Sequence, residues 1–338
     1  MTEHIPTRSS AVTLEPIDPA TAQRLYLDYK DSEYAEKTVQ GHRYRTNHFV
    51  RWCDQEGIEN LNNLSGRDLH QYKLWRKEDG NLNKVSLTTQ MSTIRVFLKW
   101  AASIDAVDPN LYTKVLVPQV SGKEEQRDEL LEAERANEIL EHLSVYEYAS
   151  LKHVLLAHLW ETGMRIGAVM GLDVGDVNFE ENYLSVRHRP EKGTPLKNGE
   201  GGERLVAISP DLAELLDDHI KNVRESIVDD AGRKPLFTSR QGRLSRSTIR
   251  RYMYIVTAPC YLDKECPGHQ ESDNAKCPEA TTPHAIRRGS ITHHLSSDVP
   301  VQVVGDRMNV SRKVLDKHYD RRSEDVKVEQ RRDFLNNI

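Results

Sequence analysis

Pro283-His284-Ala285-Ile286-Arg287-Arg288-Gly289 reads as the opening of a helix that runs to about Leu295. Residues three apart on a helix share a face, so His284 and Arg287 can meet one ligand together, as a shared phosphate would require. Working outward, Thr162-Gly163-Met164-Arg165-Ile166-Gly167 supplies a second arginine after a Thr-Gly turn. Thr194-Pro195-Leu196-Lys197-Asn198-Gly199-Glu200-Gly201-Gly202 carries a lysine in a Gly-rich turn, and His318-Tyr319-Asp320 a late tyrosine. A guanidinium offers a planar fork of donors to two phosphate oxygens, which suits charge building up on a five-coordinate phosphorus. An ammonium on a hairpin tip can protonate a leaving oxygen. A phenol, with an ordinary pKa of about 10, attacks only when cations and a proton acceptor surround it. Together these residues outline a phosphoryl-transfer site that needs no metal at phosphorus and no nucleotide. Lys192, in Pro190-Glu191-Lys192-Gly193, is the rival lysine; Lys197 is favoured as nearer the midpoint of the turn.

This order resembles the tyrosine recombinase (phage integrase) family, in which an Arg after a Thr-Gly turn, a hairpin Lys, a His-x-x-Arg pair and a Tyr near the C-terminus follow one another. The likeness covers roughly residues 20 to 325 and is densest from Pro283 to Ser323. The wording Asp306-Arg307-Met308-Asn309-Val310-Ser311 and Lys317-His318-Tyr319-Asp320 looks most like archaeal members, haloarchaeal ones in particular. The resemblance implies a site-specific DNA recombinase that cuts and rejoins strands through a 3′-phosphotyrosine, with Arg165, Lys197, His284, Arg287 and Tyr319 as its catalytic set. It implies double-stranded DNA recombination sites as partner, self-assembly into a tetramer on them, and no cofactor for catalysis. Two departures keep other readings open. The family commonly has Glu or Asp where this chain has Ala168, and a second His or a Trp where it has Asn309 or Val310. A catalytically weakened DNA-binding regulator of the same fold, or an activity like that of a type IB topoisomerase, are the alternatives.

A chain of 338 residues, 37% hydrophobic and 29% charged, is long enough for two domains with their own cores. No apolar run approaches the roughly 20 residues of a membrane helix. The polar stretch Met1 to Pro19 lacks a signal-peptide core, so a cytoplasmic protein without a membrane partner is expected. A net charge of −5 argues mildly against nucleic acid, but binding depends on local patches rather than the average.

The expected fold is mainly α with a small antiparallel β-sheet: a helical-bundle core-binding domain followed by a tyrosine-recombinase catalytic domain. The divisions are a flexible tail 1–17, an N-terminal helical core DNA-binding domain 18–115, a linker 116–127 and a catalytic domain 128–338. Apolar spacing marks helices through Leu25 to Tyr34, Tyr44 to Cys53, Leu69 to Trp75 and Ile94 to Ala101. In the second domain helices are expected at about 132–143, 147–161, 210–227, 245–257, 284–295, 300–307 and 312–319. Strands are expected at about 183–188 and 204–208. The tail 321–338, with Val326, Val328, Phe334 and Leu335 as anchors, suits docking on a neighbouring protomer or on its own domain. Arg43 and Arg45 are candidate phosphate contacts. Arg246, Arg250 and Arg251 lie on the helix that resembles the family's major-groove helix.

Within a possible insertion, 258–282, Cys260-x5-Cys266-x2-His269-x7-Cys277 supplies three thiolates and an imidazole. That is the donor set of a closed structural zinc site; a loop of reduced thiols is the other reading. Cys53, beside Trp52, reads as core.

Overall fold

The computed structural model describes residues 13–121, 129–265 and 277–318, together with 328 and 332. The chain divides into two compact units, Met1–Arg127 and Asp128–Ile338.

The first unit is a bundle of α1 (Pro19–Glu33), α2 (Glu36–Gln55), α3 (Gly66–Asp79) and α4 (Lys84–Ser103). Its helix starts are written in the sequence. The Asp18 side chain accepts from the Ala20 and Thr21 amides, Ser65 and Asp68 form a reciprocal capping box, and Asn83 accepts from the Ser86 amide. Each satisfies donors that a helix N-terminus leaves open. Between the helices Tyr26, Phe49, Trp52, Tyr72 and Phe97 are fully buried. Phe49 meets Tyr72 edge-on with ring centroids 5.1 Å apart, and Tyr26 meets Phe97 at 5.2 Å, the geometry that aromatic quadrupoles favour. Cys53 is fully buried beside them, and desolvation pushes its thiol up to about 12, so it packs as a small hydrophobe.

The second unit begins with α5 (Ala133–Tyr146), α6 (Leu151–Thr162) and a short α7 (Ile166–Gly171). A three-stranded antiparallel sheet follows, made of β1 (Val177–Asn178), β2 (Tyr183–Val186) and β3 (Arg204–Ala207), with Leu184 opposite Val206. Next come α8 (Pro210–Asp218), a hairpin of β4 (Thr238–Ser239) and β5 (Gly242–Arg243), and α9 (Arg246–Thr257). The described residues close with α10 (Pro283–Ser296), α11 (Val301–Met308) and α12 (Arg312–His318). The axis of the unit is α6. Val154, Leu155, Leu156, Leu159 and Trp160 bury nearly its whole circumference, and it touches α5, α8, α9 and α10. A helix apolar on all sides belongs in a core.

Helix α10 crosses α6 closely because Gly289 carries no side chain. A Cβ there would lie 1.9 Å from the Leu131 carbonyl oxygen and 2.9 Å from the Trp160 ring. Just beyond it the Ser290 hydroxyl donates to the Trp160 carbonyl at 2.5 Å.

The helix expected to reach Ile227 instead ends at Asp218 and passes into a π turn, His219–Val223. The His219 ring bonds the Ala149 carbonyl at 2.8 Å, and Arg224 leaves the helix to donate to the Pro235 carbonyl at 2.7 Å. These tertiary bonds override local helix propensity. The tail 321–338 and Tyr319 lie outside the described residues, apart from 328 and 332. Among the described residues no helix is long and apolar enough to cross a membrane.

Gly289→Ala should lower thermal stability by about 2 kcal/mol, the cost of overpacking a tight contact that cannot yield because a backbone oxygen forms it. Thermal denaturation followed by circular dichroism measures this, and an unchanged midpoint would contradict the packing.

Candidate active site

The Thr-Gly turn after α6 is built by its own side chains. Thr162, fully buried, donates its hydroxyl to the His158 carbonyl at 2.6 Å and accepts from the Met164 amide at 3.3 Å. Gly163 then takes a left-handed conformation, φ 56°, and a Cβ there would meet the Met308 sulfur at 2.6 Å. The turn ends the core helix and delivers Arg165 to the N-cap position of α7.

Arg287, on α10, is only 1% exposed. Its guanidinium donates to the Gly163 carbonyl through Nη1 and to the Met308 carbonyl through Nη2 at 2.9 Å. Arg165 donates from Nη1 to the next carbonyl along, that of Asn309, at 2.9 Å. The two arginines therefore converge on the C-terminal end of α11.

His284 lies one helical turn before Arg287. Desolvation of the ring and the positive charges of Arg288, Arg287, Arg165 and Lys197 push its pKa down to about 4. Part of the residue remains exposed to solvent, which weakens the desolvation cause and leaves the four cations as the part specific to this site. Among the described residues, each charged group that acts on His284 is a cation. Lys197, on the exposed turn between β2 and β3, belongs to that ring of charge. Lys192, the rival, does not figure among those cations. Four of the five expected residues are thus brought together, and Tyr319 lies outside the described residues.

Two further cations border the site without having stood out in the sequence. Arg288 acts on His284 directly. Arg204, on β3, is held by the carbonyls of Arg307 at 2.8 Å and Gly202 at 2.9 Å. Burial, then Arg165 and Arg307, push its pKa down to about 10. Strand alternation could have suggested that Arg204 points inward, but not what it meets.

A family model described as the phage integrase family matches residues 129–324, and one for the phage integrase N-terminal SAM-like domain matches 24–103. The chain belongs to the phage integrase family. It is 22% identical over 281 residues to tyrosine recombinase XerD of Staphylococcus haemolyticus (strain JCSC1435), covering 82% of this chain and 85% of that one. It is 23% identical over 305 residues to XerD of Mycobacterium leprae (strain TN), covering 84% and 86%. In fold it is similar to the Tn1549 transposon integrase in complex with a circular intermediate DNA, with TM-score 0.67 at 17% identity, covering 94% of this chain and 99% of that one. The lambda integrase dimer bound to a COC′ core site gives TM-score 0.64 at 14% identity, covering 90% and 78%.

The two departures from the phage integrase pattern have physical settings here. Ala168 is packed in the apolar core of the unit, so no carboxylate offsets the cations from that position. Val310 is buried among Ile291, Leu295, Val304, Met308 and Leu315, whereas Asn309 holds hydrogen bonds to Arg165 and to Asn198.

Of the expected DNA contacts, Arg43 is exposed on α2, and Arg45 is half-buried and donates to the Thr93 hydroxyl at 3.3 Å. Arg250 and Arg251 are exposed on α9. Arg246 packs beside α7, where a Cβ at Gly167 would come 2.9 Å from its guanidinium. The Arg246 guanidinium thus lies against α7, the helix that Arg165 caps. Cys260 and Cys277 share one small cluster with Ala258 and Ala280, while Cys266 and His269 lie outside the described residues.

In the free protein the His284 ring should titrate near 4 by NMR of labelled histidine, with the midpoint moving up in Arg165→Ala. The sign follows from the depressed value. Between about 6.5 and 4 the unfolded ring binds a proton that the folded one refuses, so stability falls as pH falls through that window. A midpoint near 6.5 would show that neither burial nor the neighbouring cations act on the ring.

Proposed function

We propose that this chain is a site-specific DNA recombinase that cleaves and rejoins strands through a 3′-phosphotyrosine formed on Tyr319. The observation that carries the reading is the convergence of Arg287 and Arg165 on the Met308 and Asn309 carbonyls, with the Lys197 turn tied to Asn309 through Asn198 and His284 one helical turn before Arg287. Such a cluster suits a backbone phosphate. Arg165 and Arg287, each oriented by main-chain carbonyls, hold the non-bridging oxygens and stabilise the charge that develops in the transition state. The Tyr319 oxygen bonds to phosphorus as the bond to the 5′-oxygen breaks, and Lys197 gives that oxygen its proton. The proton that the Tyr319 phenol gives up passes to His284, one helical turn before Arg287. A bound phosphate would raise its pKa again, since an anion favours the protonated ring. The covalent link keeps the energy of the phosphodiester, so rejoining needs no nucleotide.

DNA is the partner that the cations of α9 fit. Arg250 and Arg251 are exposed there, and Ser245 accepts from the Thr248 amide at the start of the helix. Arg43 and Arg45 add contacts from the first unit. The structural neighbours support this, since the integrase of Tn1549 is bound to circular intermediate DNA and the lambda integrase is a dimer on a core site. Assembly as a tetramer on paired sites, with exchange through a four-way junction, completes the proposal. Suicide DNA nicked at a cognate site should trap a covalent adduct that Tyr319→Phe abolishes. Adduct with strand exchange supports the recombinase. Supercoil relaxation without exchange would favour a topoisomerase, and tight binding with no adduct a regulator.

We further propose a structural zinc on Cys260, Cys266, His269 and Cys277. What favours it is that Cys260 and Cys277 pack in one cluster, and that the Thr281 amide closes the base of the segment by donating to the Thr257 hydroxyl at 2.8 Å. Such a site would fasten the segment just before α10 and leave no open position for chemistry. Metal analysis of protein purified without chelator should find one zinc per chain, lost in Cys277→Ser. A metal-free protein with full activity would remove the idea.

A further inference from the structure

We infer that Asn309, through an amide pair with Asn198, is the positioning residue that sets Lys197 beside Arg165. The inference rests on the recombinase reading above, in which Lys197 is the proton donor. Lys197 is an ammonium on a long flexible stem, and only its backbone can be held. On one side, Thr194 accepts from Arg233 at 2.8 Å, and the Leu196 amide donates to the His188 ring at 2.9 Å. On the other side, immediately after the lysine, the Asn198 amide nitrogen donates to the Asn309 side-chain oxygen at 3.0 Å. The far limb of the same turn closes on the same group, for a Cβ at Gly202 would come 3.0 Å from the Asn309 amide nitrogen.

Asn309 can do this because it sits just past α11 in a left-handed conformation, φ 51° and ψ 63°. Asparagine tolerates that region better than most side chains. Its carbonyl holds Arg165 at 2.9 Å while its side chain holds the lysine turn. One residue therefore fixes a phosphate-clamping guanidinium and the turn of the proton donor relative to each other. A single neutral hydrogen bond adds little to the fold. Misplacing a reacting group by about 1 Å can nevertheless cost about 100-fold in rate.

The test separates positioning of the acid from general damage. Asn309→Gly keeps the backbone conformation and the carbonyl that holds Arg165, and deletes only the amide contact; Asn198→Ala deletes it from the other side. In the normal reaction the phosphorus–oxygen bond breaks with its electron pair going to the 5′-oxygen, which takes a proton from Lys197. If sulfur replaces that bridging oxygen, the leaving thiolate, with a thiol pKa of about 8.5, departs without a proton. Single-turnover cleavage of the all-oxygen nicked DNA should slow about 10- to 100-fold in both variants, following the loss of placement. On the sulfur-bridged DNA both should return to near the wild-type rate. Asn309→Gly added to Lys197→Ala should slow the oxygen substrate no further.

Equal slowing on both substrates, or no slowing on either, overturns the inference. Lys197→Ala is the control. If sulfur does not rescue it, the acid role of Lys197 fails and the inference falls with it. If sulfur rescues Lys197→Ala but not Asn309→Gly, only the positioning role of Asn309 fails.

Discussion

The guanidinium of Arg287 is the interaction on which the site depends. It is among the largest fully buried side chains, and its described hydrogen bonds run to the Gly163 and Met308 carbonyls. Both carbonyls sit at helix C-termini, where such groups have no partner within their own helix and favour a cation. Removing the guanidinium would leave two buried acceptors to find other donors, at a cost of about 1–3 kcal/mol each. The three segments it ties are the turn before Arg165, helix α10 with His284, and the end of α11. Without it the sequence order of the site would have no reason to become a spatial one.

A second group of arginines shows by contrast what this arrangement does. Asp173 receives Arg189 at 3.4 Å, Arg233 at 2.9 Å and Arg243 at 2.5 Å, while Asp176 and Asp229 add further pairs. Arg243 and Arg233 also donate to the Met170, Gly171 and Leu172 carbonyls where α7 ends. Those guanidinium groups are paired with carboxylates and fasten α7 to the neighbouring hairpins. Around His284 the same residue type meets carbonyls and other cations. The chain thus sorts its arginines by partner, and a formal charge of −5 coexists with a local excess of positive charge.

Much of this was legible in the sequence, and the reasons differ by element. Amphipathic spacing marked α1 to α4, because a bundle records its core in every third or fourth residue. The spacing of His284 and Arg287 places them on one helical face by helix geometry alone. The short α7, β1 and the β4–β5 hairpin went unread, since segments of two to six residues carry too little periodicity. The early end of α8 was also hidden, because distant partners, Ala149 and Pro235, decide it. Arg204 and Arg288 were passed over because nothing local separates a site-facing arginine from a surface one. The sequence places Asn309 or Val310 where the family has a second His or a Trp, but not the left-handed conformation that lets the Asn309 carbonyl and side-chain amide act in two directions.

Arg287 and Arg165 grip successive carbonyls, those of Met308 and Asn309, on the stretch of chain that continues through α12 toward Tyr319. In the proposed mechanism, the guanidinium groups that hold the phosphate and the chain leading to the nucleophile are therefore geared to one another. Any displacement of that stretch also moves the two carbonyls that orient both guanidinium groups.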